Sequence, residues 1–209
     1  MIRSKAFWFA AVLCGGQAWI LAAATAPVPA NTETAVFSMY CYWTGEATVG
    51  KVPGVVRTRI GEFGGEVVEV TYDPARTDVV RLAEALKRQG SFYALIAPDR
   101  AAAARSGLPA SDVKVRSGQP DFIEPKHSLR VAHPELYYLD LTEAQAIALN
   151  TWSHFGGPKP AVLTPEQERM AAKLKARLAA GRAPGEPART GPERERYRQT
   201  LVAWLGEGR

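Results

Sequence analysis

From residue 35 onward the hydrophobic positions follow two periods that divide the chain into strands and helices. Ala35 to Tyr42 is an apolar run with Val36, Phe37 and Tyr40, a strand signal. Thr44 to Val52 reads as a short helical turn ending near Gly50, and Pro53-Gly54 as a turn. Val56 to Ile60 alternates as a half-exposed strand, and Gly64-Gly65 makes a tight connection. Glu66 to Tyr72 alternates again, with Val68 and Val70 on one face and Val67, Glu69 and Thr71 on the other. The period then changes to that of a helix: Val79, Val80, Leu82, Ala83 and Leu86 form its apolar face, Thr77 is its expected cap and Gly90 its end. Ser91 to Ile96 adds a strand. Strand, short helix, strand, strand, helix and strand predict an α+β fold with a ferredoxin-like split β-α-β core, an α/β roll.

The remainder reads as helical. Asp99 to Gly118, rich in Ala and Arg, is expected to be a surface excursion with a short helix. Thr142-Glu143-Ala144-Gln145 is a capping box opening a helix to about Ser153. Thr164-Pro165-Glu166-Gln167 repeats that signature, with proline at the first helical position of a helix running to about Ala180. Gly181 to Pro192 is a Pro/Gly/Arg linker, and the tail after Gly181 is expected to be mobile or used for a partner. Glu193 to Leu205 is a last helix with Tyr197, Leu201 and Trp204 on one face. The expected organisation is therefore residues 1–30 as a leader, 31–155 as one domain and 156–209 as a helical C-terminal extension.

The leader sets the compartment. Arg3 and Lys5 precede the apolar stretch Ala6 to Ala24, and small residues offer cleavage after Ala24 or Ala30, the pattern of a secretory signal. An uncleaved anchor is the alternative, since the run approaches the length of a membrane span, but Gly15, Gly16 and Gln17 interrupt it. The expectation is an exported protein, periplasmic or secreted, at a membrane only if the signal is uncleaved. Losing Arg3 and Lys5 takes the net charge from +5 to +3, and no basic stripe carries interleaved aromatics, so no nucleic-acid partner is expected. Cys14 leaves with the signal, and Cys41 becomes the single thiol of the exported chain.

Cys41 stands in Tyr40-Cys41-Tyr42-Trp43-Thr44-Gly45-Glu46, at the end of a strand and just before a helical start. Backbone N–H groups and the helix dipole favour a thiolate there. A core cysteine among core aromatics fits the same residues equally well. Downstream come Pro53-Gly54-Val55, Thr58, then Gly61-Glu62-Phe63-Gly64-Gly65, and Glu66 lies six residues before Tyr72-Asp73-Pro74. In this order the segments resemble the peptide methionine sulfoxide reductases of the A family, whose site reads Gly-Cys-Phe-Trp-Gly-x-Glu. In the family Pro-Gly-Val, Thr and Gly-Tyr-x-Gly-Gly follow, then a long loop ending Gly-His-Ala-Glu. The resemblance covers Ala35 to Leu86 with that loop deleted, and more faintly Glu124 to Gln145.

The resemblance implies a peptide-methionine (S)-S-oxide reductase, an oxidoreductase acting on a sulfur group. Cys41 would be the nucleophile and Glu66 the general acid that protonates the sulfoxide oxygen. Tyr42 and Trp43 would hold the substrate's S-methyl group. Cys41 would end as a sulfenic acid, and with no second thiol to resolve it an external reductant is required, such as a thioredoxin-like protein. No cofactor is implied; the partners would be methionine-sulfoxide-containing proteins or peptides and a thiol reductase. The departures fall on the oxygen-binding groups. Glu62 replaces the tyrosine before Gly-Gly. Glu124-Pro125-Lys126-His127-Ser128-Leu129-Arg130-Val131 stands for Asp-x-Gly-x-x-Tyr-Arg-Ser, so Glu124 replaces the aspartate and Leu129 a site tyrosine, with His127 a nearby substitute. Removing one such donor commonly costs on the order of 3 kcal/mol, so slow or lost activity is one expectation.

Two other classes compete. A non-catalytic exported domain of the same descent would bind peptides or a partner without turnover, as the missing tyrosines suggest. A periplasmic metal-binding ferredoxin-like domain would need a Cys-x-x-Cys pair, which is absent. Met39, Cys41, His127, His133 and His154 lack ligand spacing on a helix, so no metal site is expected.

Overall fold

The computed structural model describes residues 31–123, 126–189 and 191–206; the expected leader and Glu124 lie outside them. Six strands form one mixed sheet: β1 (Glu33–Met39), β2 (Val55–Glu62), β3 (Glu66–Tyr72), β4 (Phe92–Ala97), β5 (Val113–Val115) and β6 (Asp121–Phe122), in the order β5-β4-β1-β3-β2-β6. Every pairing is antiparallel except β4 with β5. Helix α1 (Tyr42–Val49) joins β1 to β2, and α2 (Val79–Arg88) joins β3 to β4. The architecture is α+β.

Alternation puts Ala35, Phe37 and Met39 of β1 on one buried face. Phe37 is opposite Val68 on one side and Leu95 on the other, so a row of apolar side chains crosses the sheet. Val49 of α1 and Leu82, Ala83 and Leu86 of α2 complete this core. Each of the larger side chains among them contributes about 1.5–3 kcal/mol by leaving water. The pairing of β1 with β4 shifts register between Ser38 and Met39, an irregularity that turns the chain out of the sheet just before Cys41.

Five more helices form a second layer: α4 (His127–Ala132), α5 (Pro134–Tyr137), α6 (Glu143–Phe155), α7 (Pro165–Ala179) and α8 (Gly191–Gly206), following the short α3 (Arg100–Arg105). Leu129, Leu136, Tyr137, Leu149, Leu174 and Leu201 sit in their shared core. Both expected capping boxes are present, at Thr142/Gln145 and Thr164/Gln167. Helix α6 packs on α1 and β2. The fit is close: a Cβ on Gly50 would come within 2.4 Å of Thr151 Oγ1. Sandwiched in this way, α1 is buried from Gly45 to Val49.

Several local expectations change. Asp78, not Thr77, caps α2, accepting from Arg81 N–H, because it directly precedes the first helical residue Val79 and its carboxylate reaches the third helical amide, while Thr77 is buried one residue too early. The Asp99–Gly118 excursion contains α3 but returns to the sheet as β5, and β6 closes the opposite edge. The segment before α8 contacts the helical layer, with Arg189 Nη2 donating to the Tyr137 carbonyl (2.8 Å) and Tyr137 Oη to Glu186 (2.7 Å). Among the described residues no helix is long and apolar enough to cross a membrane.

Candidate active site

Cys41 is the N-cap of α1, with φ −139° and ψ 111°, and its side chain makes no capping hydrogen bond. A helix start leaves its first N–H groups without intrahelical partners. Here the missing acceptor comes from the neighbouring strand: Tyr42 N–H donates to Glu66 Oε2 at 2.6 Å. The carboxylate thus sits at the positive end of α1, against the residue that follows the thiol. Cys41 is half-buried and in no disulfide. Glu62 pairs with Glu66 across the Gly64-Gly65 turn, with the exposed Glu62 at the rim. The Tyr42 phenol is raised above the usual tyrosine range, first by burial and then by the charges of Glu66, Glu62 and Cys41, so it keeps its proton.

Trp43, 38% exposed, lies flat against His127, with ring centroids 3.7 Å apart and planes 3° apart. Burial, then the charge of Arg130, lowers His127 below the ordinary histidine range, with Glu46 opposing, so the stacked ring is the neutral imidazole at neutral pH. Cys41, Tyr42, Trp43, Glu62 and Glu66 therefore cluster at the start of α1, and His127 joins through Trp43. Leu129, at the position of a family tyrosine, is fully buried in the helical core and turned to other work. Three hollows, beside Phe63 and Arg116, between α7 and α8, and between α1 and α2, are lined by none of these site residues. Among the described residues no three His, Cys, Asp or Glu side chains converge as a metal-binding group. The histidines are engaged separately: His133 stacks on Trp152 and His154 Nδ1 shares a hydrogen bond with Ser128 Oγ.

Sequence reasoning missed the group that ties the two layers together beneath this site. Lys126 is fully buried, with its ammonium 3.0 Å from Glu46 Oε1, from the Thr58 carbonyl and from Thr58 Oγ1. Removing one partner of such a pair commonly costs about 3–5 kcal/mol. One signal was available. Lys126 occupies the glycine position of the family's Asp-x-Gly segment, and among the described residues it is the one non-glycine residue with positive φ, 64°, the conformation glycine takes most easily. The weaker half of the alignment is thereby supported by backbone shape.

No family model matches the chain. Among curated proteins, it is 50% identical over 42 residues to a peptide methionine sulfoxide reductase MsrA of Methanococcus maripaludis, covering 20% of this chain and 27% of that protein. It is 37% identical over 68 positions to the MsrA of Mycolicibacterium paratuberculosis (26% and 40%) and 42% identical over 79 positions to that of Rhodospirillum centenum (29% and 35%). The chain thus spans well under half the length of the curated relatives it matches. The 68 positions draw on only 26% of 209 residues, fewer residues than positions, so the relative carries residues inside the match that this chain lacks. That agrees with the deleted loop. Motif order, the local identities and the shortened loop make this chain a divergent relative of the peptide methionine sulfoxide reductase A family.

Proposed function

We propose that this chain reduces methionine-S-sulfoxide, free or in proteins, to methionine, with Cys41 as nucleophile and Glu66 as general acid. The observation that carries the reading is the 2.6 Å bond from Tyr42 N–H to Glu66 Oε2, which brings a carboxyl group to the residue beside the Cys41 thiol at the N-cap position. The Cys41 thiolate attacks the sulfoxide sulfur. Glu66 reacts in its protonated form: held through Oε2, it gives its Oε1 proton to the oxygen as negative charge grows there, and takes one up again from solvent for the next turnover. The substrate S–O bond breaks, the thioether gains two electrons, and Cys41 ends as a sulfenic acid carrying one oxygen. Two equivalents of an external thiol then restore Cys41 and release water and a disulfide. Tyr42 and the exposed part of Trp43 hold the S-methyl group. The Tyr42 phenol, still protonated beside two carboxylates, is a donor available for the oxygen where the family tyrosines are lost.

The element order β-α-β-β-α-β and the strand order β4-β1-β3-β2 support a ferredoxin-like split β-α-β core over 31–155, with 156–209 as its helical extension. The charged start and apolar run before residue 30 support export, and with it a thiol reductase partner outside the cytoplasm. A second reading, peptide binding without turnover, is favoured by one observation: Leu129 is sealed in the helical core, where no hydroxyl donor can reach a substrate. The deciding experiment supplies both sulfoxide epimers separately with an excess of small dithiol. Methionine forms from the S epimer only, and Cys41→Ala abolishes it. A wild-type chain inert to both epimers, with Cys41 unreactive to alkylating reagents, establishes the binding reading instead.

A further inference from the structure

The mechanism above makes no use of a buried and fully hydrogen-bonded carboxylate beneath the site. Glu46, on α1 five residues beyond Cys41, is buried and accepts four hydrogen bonds. Oε1 takes them from Lys126 Nζ (3.0 Å) and Thr58 Oγ1 (2.9 Å), and Oε2 from Lys126 N–H (3.0 Å) and Asn150 Nδ2 (3.1 Å). These fill the acceptor sites of a carboxylate. The three ammonium protons of Lys126 are matched by Glu46 Oε1, Thr58 O and Thr58 Oγ1. Asn150 Oδ1 in turn accepts Leu129 N–H (3.0 Å). Helix α1, strand β2, helix α6 and the 126–129 turn therefore meet at one carboxylate. A well-packed apolar cluster would serve stability as well as a buried ion pair does; what a fully satisfied network adds is a single geometry.

The residue that this geometry orients is His127, next in the chain after Lys126 and stacked on Trp43. We propose that Glu46, Lys126 and Asn150 are positioning residues that lock the 126–129 turn to α1, so that the His127 imidazole covers one part of the Trp43 indole and confines substrate to the part left exposed. The consequence for catalysis rests on reading Trp43 as a substrate contact; the positioning itself does not.

The chain holds three histidines, His127, His133 and His154, so their ring protons give a simple NMR spectrum in which His127→Gln assigns the His127 signals. From the 3.7 Å stack, these signals are expected upfield in the wild type, shifted by the indole ring current. The paired variant E46Q/K126M removes both charges with little change of volume. It is expected to move the His127 signals back towards free imidazole, with those of His133, stacked on Trp152, as the internal control; His154, bonded to Ser128 in the released turn, moves with it. Asn150→Leu, which cuts the tether to Leu129 N–H but keeps the ion pair, is the second variant should the first fail to fold; it moves the same signals. A role in stability alone lowers the melting temperature and leaves the stack intact, so a folded variant with unmoved His127 signals overturns the proposal. With methionine-S-sulfoxide as substrate the folded variants raise KM at nearly unchanged kcat, the mark of lost uniform binding. Absence of wild-type turnover would sink the reductase reading, while the NMR outcome still decides the positioning.

Discussion

Glu66 carries two separable duties, and the Gln and Ala variants distinguish them. In Glu66→Gln the amide oxygen can still accept the Tyr42 N–H that the carboxylate accepts at 2.6 Å. What is lost is ionisation: the negative charge at the helix start in the carboxylate form, and the transferable proton in the acid form. The charge is worth about 0.3–1 kcal/mol there, and about 1 kcal/mol moves the melting temperature by roughly 2–4 °C in a chain of this size. The proton is worth more: general acid catalysis contributes about 10²–10⁴ in rate, or about 2.7–5.4 kcal/mol of barrier. Glu66→Ala also leaves the first amide of α1 without its acceptor, and a hydrogen bond to a charged group contributes about 1.5–3 kcal/mol. Initial rates of methionine formation from the S epimer under excess dithiol, beside thermal unfolding, read both quantities. Glu66→Gln is expected to lose at least about a hundredfold in rate with a near-native melting temperature, and Glu66→Ala to lose in both. If Glu66→Gln turns over within about threefold of wild type, proton delivery by this residue is refuted and Glu66 is only a cap.

Three further outcomes follow from the same geometry. Without reductant, each chain should release one methionine and stop with Cys41 as a sulfenic acid that a dimedone-type probe labels in mass spectrometry; Cys41→Ser should give neither product. Gly45→Ala places a Cβ 1.9 Å from Met39 Sδ and 2.9 Å from its Cε, within a side chain that is 2% exposed. Despite alanine's better helix propensity, urea unfolding should show a loss of about 1–3 kcal/mol from overpacking, and activity should fall because Gly45 N–H bonds the Cys41 carbonyl. Burial is the leading cause that holds both His127 and His154 below 6.5 in the folded chain. The unfolded chain therefore binds more protons between those lowered values and 6.5, so stability is complete above 6.5 and declines as pH falls through it. Melting temperatures should drop on acidification below that point, and less steeply in His127→Gln/His154→Gln; equal slopes would contradict the assignment.

Much of the fold was legible because local rules and burial agreed. β3 spans Glu66–Tyr72 as its alternation predicts, and both capping boxes open helices where their residue types require. Where the expectation failed, a tertiary partner decided. β5 and β6 are too short to show a period of two and exist through pairing with β4 and β2. Helices α4 and α5 are one or two turns long, below the length at which periodicity is visible, and are held by packing against α6 and α7.

The site divides along the same line. Cys41 and Trp43 are neighbours in sequence and Glu62 and Glu66 share the β2–β3 hairpin, but thiol and carboxylate meet only because β3 pairs with β1 across the sheet, Ser38 opposite Val67. The partnership of Glu46 with Lys126 joins residues 80 positions apart, and no local pattern announces it. Sequence by itself determined which candidate side chains are present and which strand or helix each rides on, because alternation and helix phase are local properties. Only the packing of the helical layer against α1 decided that His127 meets the indole and that Leu129 does not reach the site, because a buried lysine and carboxylate must find each other or leave the interior.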